Sequence, residues 1–343
     1  NTLLILLNDG LGNLYEDSNF LNVNDVPEVR AAYRMKVADF NSDGKDDIFI
    51  ASFGKYVCGE DNTCVSTPAN HGLLITTEDK MVSYNHHIVD DNDGNGFLRP
   101  SHDASAGDID GDGDVDIVAG AYIMYNDGDG IFSKYKDLET SWYGGFDEYD
   151  NYTQNPIDAS SVADFNGDGI DDIILWFRSD SESLCSTGNS NQTAEAYCGG
   201  YIKFGPILET DSVHVNDDFT RLNNGDGYYG LNTFFNNSVT GDIDGDGDID
   251  ILVGETRKIP YYNGRTVQIL INDGDGNFED KTDVMYPNQL RSGLAQTVAS
   301  IGIGEGDVYM VDFDGDGDMD IIDSVGGCEA STNCTEYADT PRT

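Results

Sequence analysis

Short apolar runs separated by Gly- and Asp-rich clusters set the rhythm of this chain. Ile48-Phe49-Ile50, Ile117-Val118, Ile173-Ile174-Leu175, Ile251-Leu252-Val253 and Ile321-Ile322 are largely β-branched and are bounded by turn residues. Runs of that kind predict strands. No segment carries the long 3.6-residue apolar spacing of an amphipathic helix, so the pattern predicts an all-β fold. A second recurring element is an apolar strand that ends in Asn-Asp-Gly: Leu7-Asn8-Asp9-Gly10, Tyr125-Asn126-Asp127-Gly128 and Ile271-Asn272-Asp273-Gly274. Looser relatives lie at Asp91–Phe97 and Asn224–Tyr228. Asn or Asp beside Gly supplies the positive φ angles of tight turns, so these elements predict hairpins.

Each of the five apolar runs follows the same polar loop. The first copy reads Asp39-Phe40-Asn41-Ser42-Asp43-Gly44-Lys45-Asp46-Asp47-Ile48, and the others start at Asp108, Asp164, Asp242 and Asp312. Successive starts are 69, 56, 78 and 70 residues apart, a period that marks a repeat architecture. Each interval has room for about four strands, the content of one propeller blade. The segment after the fifth loop supplies one strand (Ile321–Val325), and Leu3–Asn13 supplies a strand with its hairpin. Joined, they complete a shared blade with a wrap-around interval of 70 residues. The expectation is a single-domain β-propeller over residues 1–343, with five four-stranded blades closed by N- and C-terminal strands. A fragment of a larger ring fits the same spacing.

Oxygen-bearing side chains occupy loop positions 1, 3, 5 and 9 in every copy, and position 6 is always Gly. Alternating acids direct carboxylates to the inside of a tight turn, and Gly takes the sharp backbone angle there. Position 7 varies (Lys45, Asp114, Ile170, Asp248, Asp318), which suits a ligand supplied by a backbone carbonyl. Hard oxygens in a flexible cage favour Ca²⁺ over Mg²⁺ or softer metals. An EF-hand starts the same way but needs a bidentate Glu at position 12 and flanking helices. Position 12 here is Ile50, Ala119, Leu175, Val253 or Asp323. Apolar residues at positions 2 and 10 anchor each loop into a core. The expectation is about five structural calcium ions, one per blade, with weaker binding where Asn41 and Asn166 replace an acid.

These D-x-D/N-x-D-G-x-x-D-I/L loops, with intervening L-x-N-D-G-x-G-x-F/L hairpins, resemble FG-GAP/VCBS repeats, and the resemblance covers nearly the whole chain. Such repeats build calcium-bearing propeller blades in integrin α-subunits, bacterial surface proteins, fungal lectins and polysaccharide-degrading enzymes. The resemblance implies calcium ligation by Asp39, Asn41, Asp43, the Lys45 carbonyl and Asp47. In the other loops it implies Asp108, Asp110, Asp112, Asp114 and Asp116; then Asp164, Asn166, Asp168, Ile170 and Asp172. The last two sets are Asp242, Asp244, Asp246, Asp248 and Asp250, then Asp312, Asp314, Asp316, Asp318 and Asp320. The FG-GAP dipeptides are mostly missing, and five blades are fewer than the seven usual in integrins.

Composition narrows the function class. The 343 residues include 64 acidic and 18 basic side chains, a formal net charge of -46. That field repels phosphate backbones and anionic lipid, so nucleic-acid and membrane partners are not expected. Six cysteines fall into close pairs: Cys58 with Cys64, Cys185 with Cys198, Cys328 with Cys334. Their spacing does not suit zinc, and local disulfides predict a secreted or cell-surface location. Thr2–Leu7 is too short for a membrane span and reads as a strand. Four sequons, at Asn151, Asn191, Asn236 and Asn333, permit glycosylation.

Catalytic motifs are sparse. Gly225–Gly230 matches a dinucleotide fingerprint in letters but lacks its strand-to-helix context, and reads as a turn. The five histidines are His71, His86, His87, His102 and His214; adjacent residues such as His86 and His87 point to opposite faces of a strand. The best recognition candidate is the aromatic, acidic segment containing Trp142, Tyr143, Phe146, Tyr149 and Tyr152. Aromatic faces beside carboxylates suit sugar rings, and they equally serve to pack a loop. The leading expectation is a non-enzymatic adhesion or recognition module for a glycan or protein. A polysaccharide lyase or hydrolase on the same scaffold, and a self-assembling subunit of an extracellular fibre or sheath, are the alternatives.

Overall fold

A computed structural model describes residues 3–21, 29, 32–52, 55–58, 64–67, 71–78, 80–83, 101, 103–138, 157–177, 199–227, 233–257, 265–287 and 308–323. A short hairpin comes first, β1 (Leu7–Asn8) with β2 (Leu14–Tyr15). The first four-stranded antiparallel sheet follows: β3 (Ala32–Ala38), β4 (Asp47–Ser52), β7 (Gly72–Thr76) and β8 (Met81–Ser83). Between β4 and β7 runs an extra hairpin of β5 (Lys55–Cys58) and β6 (Cys64–Thr67). The second sheet is β9 (Ala104–Gly107), β10 (Asp116–Ala119), β11 (Tyr122–Tyr125) and β12 (Lys134–Asp137). The third is β13 (Ile157–Ala163), β14 (Asp172–Phe177), β15 (Gly199–Lys203) and β16 (Thr220–Arg221), with a one-turn helix, α1 (Val215–Asp218), before its last strand. The fourth is β17 (Thr233–Gly241), β18 (Asp250–Arg257), β19 (Arg265–Asn272) and β20 (Phe278–Asp280), followed by α2 (Thr282–Met285). A last pair, β21 (Val308–Val311) and β22 (Asp320–Asp323), ends the described chain.

The sequence pattern explains this order. Every Asp-rich loop joins the first and second strands of a sheet, and its ninth residue opens the second strand. In register, Asp47 faces Ala38, Asp116 faces Gly107, Asp172 faces Ala163, Asp250 faces Gly241 and Asp320 faces Val311. The Asn-Asp-Gly turns join third to fourth strands in the second and fourth sheets, and β1 to β2. Three of the first strands, β3, β13 and β17, carry a register shift near their start, which adds local twist. The Asn224 relative of these turns departs from the expectation: it follows the fourth strand, β16, rather than preceding one.

Two compact units emerge, Asn1–Asn155 with Gly205–Asp217, and Pro156–Phe204 with Asp218–Thr343. Within the second unit the first strands β13, β17 and β21 lie side by side. Ser238 Oγ donates to Ser160 O at 2.9 Å and Asn237 Nδ2 to Val308 O at 2.9 Å. Within the first unit β3 lies beside β9. Meander sheets with neighbouring first strands are β-propeller blades, and four are complete among the described residues.

In the four complete sheets the second strands are covered on both faces, which is why they read as unbroken apolar runs rather than alternating ones. Ile173 through Phe177 are wholly buried. Trp176 packs on Phe235 with ring centroids 5.2 Å apart, and its Nε1 donates to Ser161 Oγ at 3.1 Å. Gly200 makes room for it, since a Cβ there would come within 2.7 Å of the indole. Trp176→Ala is expected to cost about 3–5 kcal/mol, lost apolar burial plus a cavity; urea unfolding measures it, and a loss below about 1 kcal/mol contradicts this packing.

The expected fifth blade is not assembled as one sheet among the described residues. β21–β22 carries the fifth loop between a first and a second strand, and β1–β2 carries the hairpin of a third and a fourth. Each forms its own two-stranded sheet. Phe313 is 77% exposed and Leu14 61%, whereas their repeat equivalents Phe40, Phe165 and Phe132 are fully buried.

Cys58 and Cys64 face each other across β5–β6; Cys185, Cys198, Cys328 and Cys334 lie outside the described residues. All three pairs follow second strands (β4, β14, β22) in the chain. Of the sequons only Asn236 is described. It is buried, with its amide donating to Thr256 Oγ1 at 2.6 Å, so this sequon is used in the core rather than presented to solvent.

Candidate metal centre

Each Asp loop is wound by its own side chains. In the second, Asp108 accepts Gly111 N at 2.9 Å on Oδ1 and Gly113 N at 3.0 Å on Oδ2. Asp110 Oδ1 accepts Asp112 N at 3.2 Å, and Asp112 Oδ1 accepts Asp114 N at 3.0 Å. Similar bonds hold Asp39, Asp164, Asp242 and Asp312 at the head of the other loops. Position 6 needs glycine: φ is +98° at Gly113, Gly247 and Gly317, a region closed to most side chains.

This winding gathers carboxylates. Asp108, Asp110 and Asp112 each bring an oxygen within 4.8 Å of the others, as do Asp242, Asp244 and Asp246, and Asp312, Asp314 and Asp316. The first and third loops are weaker by one charge. Asn166 Nδ2 donates to Asp168 Oδ2 at 3.1 Å, and in the first loop Lys45 Nζ approaches Asp43 Oδ2 to 3.3 Å as an internal counter-charge. Burial followed by the charge of Asp112 raises the pKa of Asp110; burial and then neighbouring acids do the same for Asp114 and Asp248. Acids crowded in this way, all hard oxygen donors, fit a calcium ion at positions 1, 3 and 5.

Position 9 also ties the loop to its sheet. Asp47, Asp116 and Asp250 are buried and use both oxygens on backbone N–H groups. One oxygen accepts from position 2 of the loop: Phe40 at 3.0 Å, Ile109 at 3.2 Å, Ile243 at 2.7 Å. The other accepts from the end of the third strand: Thr76 at 2.6 Å, Asn126 at 2.8 Å, Asn272 at 2.8 Å. Asp172 and Asp320 make the first of these bonds, to Phe165 N and Phe313 N, both at 2.9 Å. Burial pushes Asp116 up to about 8 and Asp47 to about 6, against the pull of those hydrogen bonds. The ninth Asp therefore fastens loop to sheet, and each of its oxygens keeps a lone pair open to an ion.

Two asparagines that sequence reading treated as turn formers are also structural ties. Asn126 Nδ2 donates to Phe40 O of the preceding blade's loop at 2.7 Å and to Val115 O at 3.1 Å. Asn272 Nδ2 likewise reaches Phe165 O at 2.8 Å and Ile249 O at 3.1 Å. Their repetition at the same place in two hairpins, and again at Asn8, was the available signal. Ring pairs cover the same joints, Phe40 with Phe132 at 5.8 Å and Phe165 with Phe278 at 5.6 Å.

Of the histidines, His71 is buried and its Nδ1 accepts Ser52 N at 3.0 Å. His214 Nε2 lies 3.2 Å from Ser212 Oγ. His86, His87 and His102, and the aromatic candidates Trp142, Tyr143, Phe146, Tyr149 and Tyr152, lie outside the described residues. Of the Gly225–Gly230 segment read as a turn, Gly225 and Asp226 lie in a turn and residues 228–230 lie outside the described residues.

Residues 242–322 match the family model of an FG-GAP-like repeat, spanning the fourth loop to the strand after the fifth. No curated protein sequence matches the chain. Among solved structures it is similar to rhamnogalacturonan lyase YesW, with 16% identity and a TM-score of 0.34 over 87% of this chain and 58% of that one. The exotype rhamnogalacturonan lyase YesX gives 16% identity and 0.33 over 84% and 50%. The V. cholerae biofilm matrix protein Bap1 gives 15% and 0.27 over 74% and 39%. The chain thus spans about half the length of these structures.

Proposed function

We propose that this FG-GAP-type chain is an extracellular, calcium-stabilised β-propeller acting as a non-enzymatic recognition module for a glycan or a protein. The observation that carries the calcium part is the convergence of three carboxylates within 4.8 Å in each of three loops. Positions 1, 3 and 5, with the carbonyl of position 7, would hold each ion, and the ion would neutralise carboxylates that otherwise repel. The first and third loops would bind through Asp39, Asn41 and Asp43, and through Asp164, Asn166 and Asp168. Calcium in this role is structural, since the cage exists only in the folded chain.

The proposal includes a fifth blade, with β1–β2 completing β21–β22. The unmatched exposure of Leu14 and Phe313 supports it. It also includes three local disulfides. Residues facing each other in antiparallel strands have Cα atoms about 4.5–5.5 Å apart, inside the disulfide range, and Cys58 and Cys64 hold that register. Intact-mass measurement before and after reduction of the unfolded chain should show a gain of about six mass units under three disulfides; no gain removes this element.

The recognition part is tested by a glycan array probed with calcium and again with chelator. Calcium-dependent retention on particular glycans supports it. Product release from a polysaccharide panel would replace it with a lyase or hydrolase, and concentration-dependent polymers under the microscope with a fibre subunit.

A further inference from the structure

We propose that a cavity beside the second Asp loop is the recognition pocket and that its ligand is a neutral saccharide, a proposal that rests on the calcium reading above. The cavity holds about 340 Å³, within the range of small-molecule sites, roughly 300–1,000 Å³. Its wall is not the blade alone. Residues 205–217 lie in sequence between β15 and β16, yet they belong to the first compact unit, where they form a strap over the second blade.

That strap is fixed at several points. Ile207 N donates to Ile109 O at 2.9 Å, and the buried Tyr125 hydroxyl donates to Ile207 O at 2.8 Å. Lys136, itself buried, donates from Nζ to Glu209 O at 2.6 Å and to Asp211 O. Two residues earlier on the same strand, and so on the same face, Lys134 pairs with Glu209 at 3.0 Å. The Asp211 carboxylate closes the strap on itself by accepting Leu208 N at 2.9 Å. A polar loop tied down by buried donors presents a preformed wall, which lowers the ordering cost of binding.

The lining decides the ligand class. Asp127 and Glu209 outnumber the one base, Lys134, even with Asp110 and Asp112 set aside as ion ligands, so an anionic sugar is disfavoured. Asp110 and Asp112 would hold a divalent ion, which would offset their charge. Asp127 Oδ1 is occupied by the N–H groups of Asp129 and Ile131. What remains is a paired Lys134–Glu209 couple, the hydroxyls of Ser133 and Thr210, and an apolar floor from Tyr125 and Leu208. Alternating donors and acceptors over an apolar patch match a ring with hydroxyls on its edge and C–H groups on its face.

The test titrates methyl α-mannoside, methyl β-galactoside, N-acetylglucosamine and galacturonate into calcium-loaded protein by calorimetry, with calcium binding measured separately. At least one neutral probe should bind and galacturonate should not. Lys134→Met and Thr210→Val should each weaken that binding about tenfold while leaving calcium affinity unchanged, and Thr210→Val should also leave the melting temperature unchanged. No binding by any neutral probe, preference for galacturonate, tighter binding of oligolysine than of any sugar, or indifference to both substitutions overturns the proposal. Failure of calcium itself to bind is read in the separate titration and strikes the underlying reading instead.

Discussion

Excess EDTA lowers the melting temperature of the chain by about 10 °C or more, and added calcium restores it. A ligand at a hundredfold excess over its Kd stabilises by about 2.7 kcal/mol per site. Three all-acid loops give roughly 8 kcal/mol by the same relation. For chains of 150–250 residues each kcal/mol moves the midpoint by about 2–4 °C, and somewhat less for a longer one. The effect is large because ion removal leaves Asp108, Asp110 and Asp112, with their counterparts, facing one another at short range. Calorimetric melts with metal content verified by elemental analysis check it. A midpoint that stays put after confirmed metal removal would sink the structural role of calcium.

Asn126→Ala is the point substitution with the largest expected effect outside the apolar core. It removes two donated bonds, to Phe40 O and Val115 O, and strips an acceptor from Asp127 N and Gly128 N. Each buried polar group left unpaired costs about 1–3 kcal/mol, so the expected loss is about 2–4 kcal/mol. Asn272→Ala should match it, through Phe165 O and Ile249 O. The control is Asn13→Ala, which loses only an exposed bond to Asp9 Oδ2 at 2.7 Å; surface changes of that kind stay within about 0.5 kcal/mol. Urea unfolding measures all three, and hydrogen exchange locates the loss. If Asn126→Ala behaves like the Asn13 control, the tie between successive blades is not a stabilising element.

Much of the architecture was legible because each loop carries its own grammar. Asp at alternating positions, Gly at position 6 and Ile at position 10 place a turn and then a strand, and β4, β10, β14, β18 and β22 all begin where that pattern predicts. Less visible was the division of labour within the loop. Position 9 shares the residue type of positions 1 and 5, yet it opens a buried strand, and burial commits its oxygens to Phe40 and Thr76 in the first copy and to Ile109 and Asn126 in the second. The strap over the second blade was not legible at all. Residues 205–217 are a polar connection within the third sheet by sequence, and nothing in a local pattern says which neighbour a loop will cover. Lys134 and Lys136 decide that, from seventy residues upstream. Asn236 teaches the converse: a glycosylation sequon is three letters, and here a bulged inner strand turns its amide toward Thr256.

The unequal charge of the five loops has a consequence for how the molecule meets changing surroundings. The second, fourth and fifth loops carry Asp at positions 1, 3, 5, 7 and 9, whereas the first holds Asn41 and Lys45 and the third Asn166 and Ile170. Under the calcium reading, dilution empties the first and third loops before the rest, so loss of mineral is graded and not abrupt. One fully acidic loop stays in the first compact unit and two in the second, leaving every part of the chain at least one rivet while its weaker joints have already loosened.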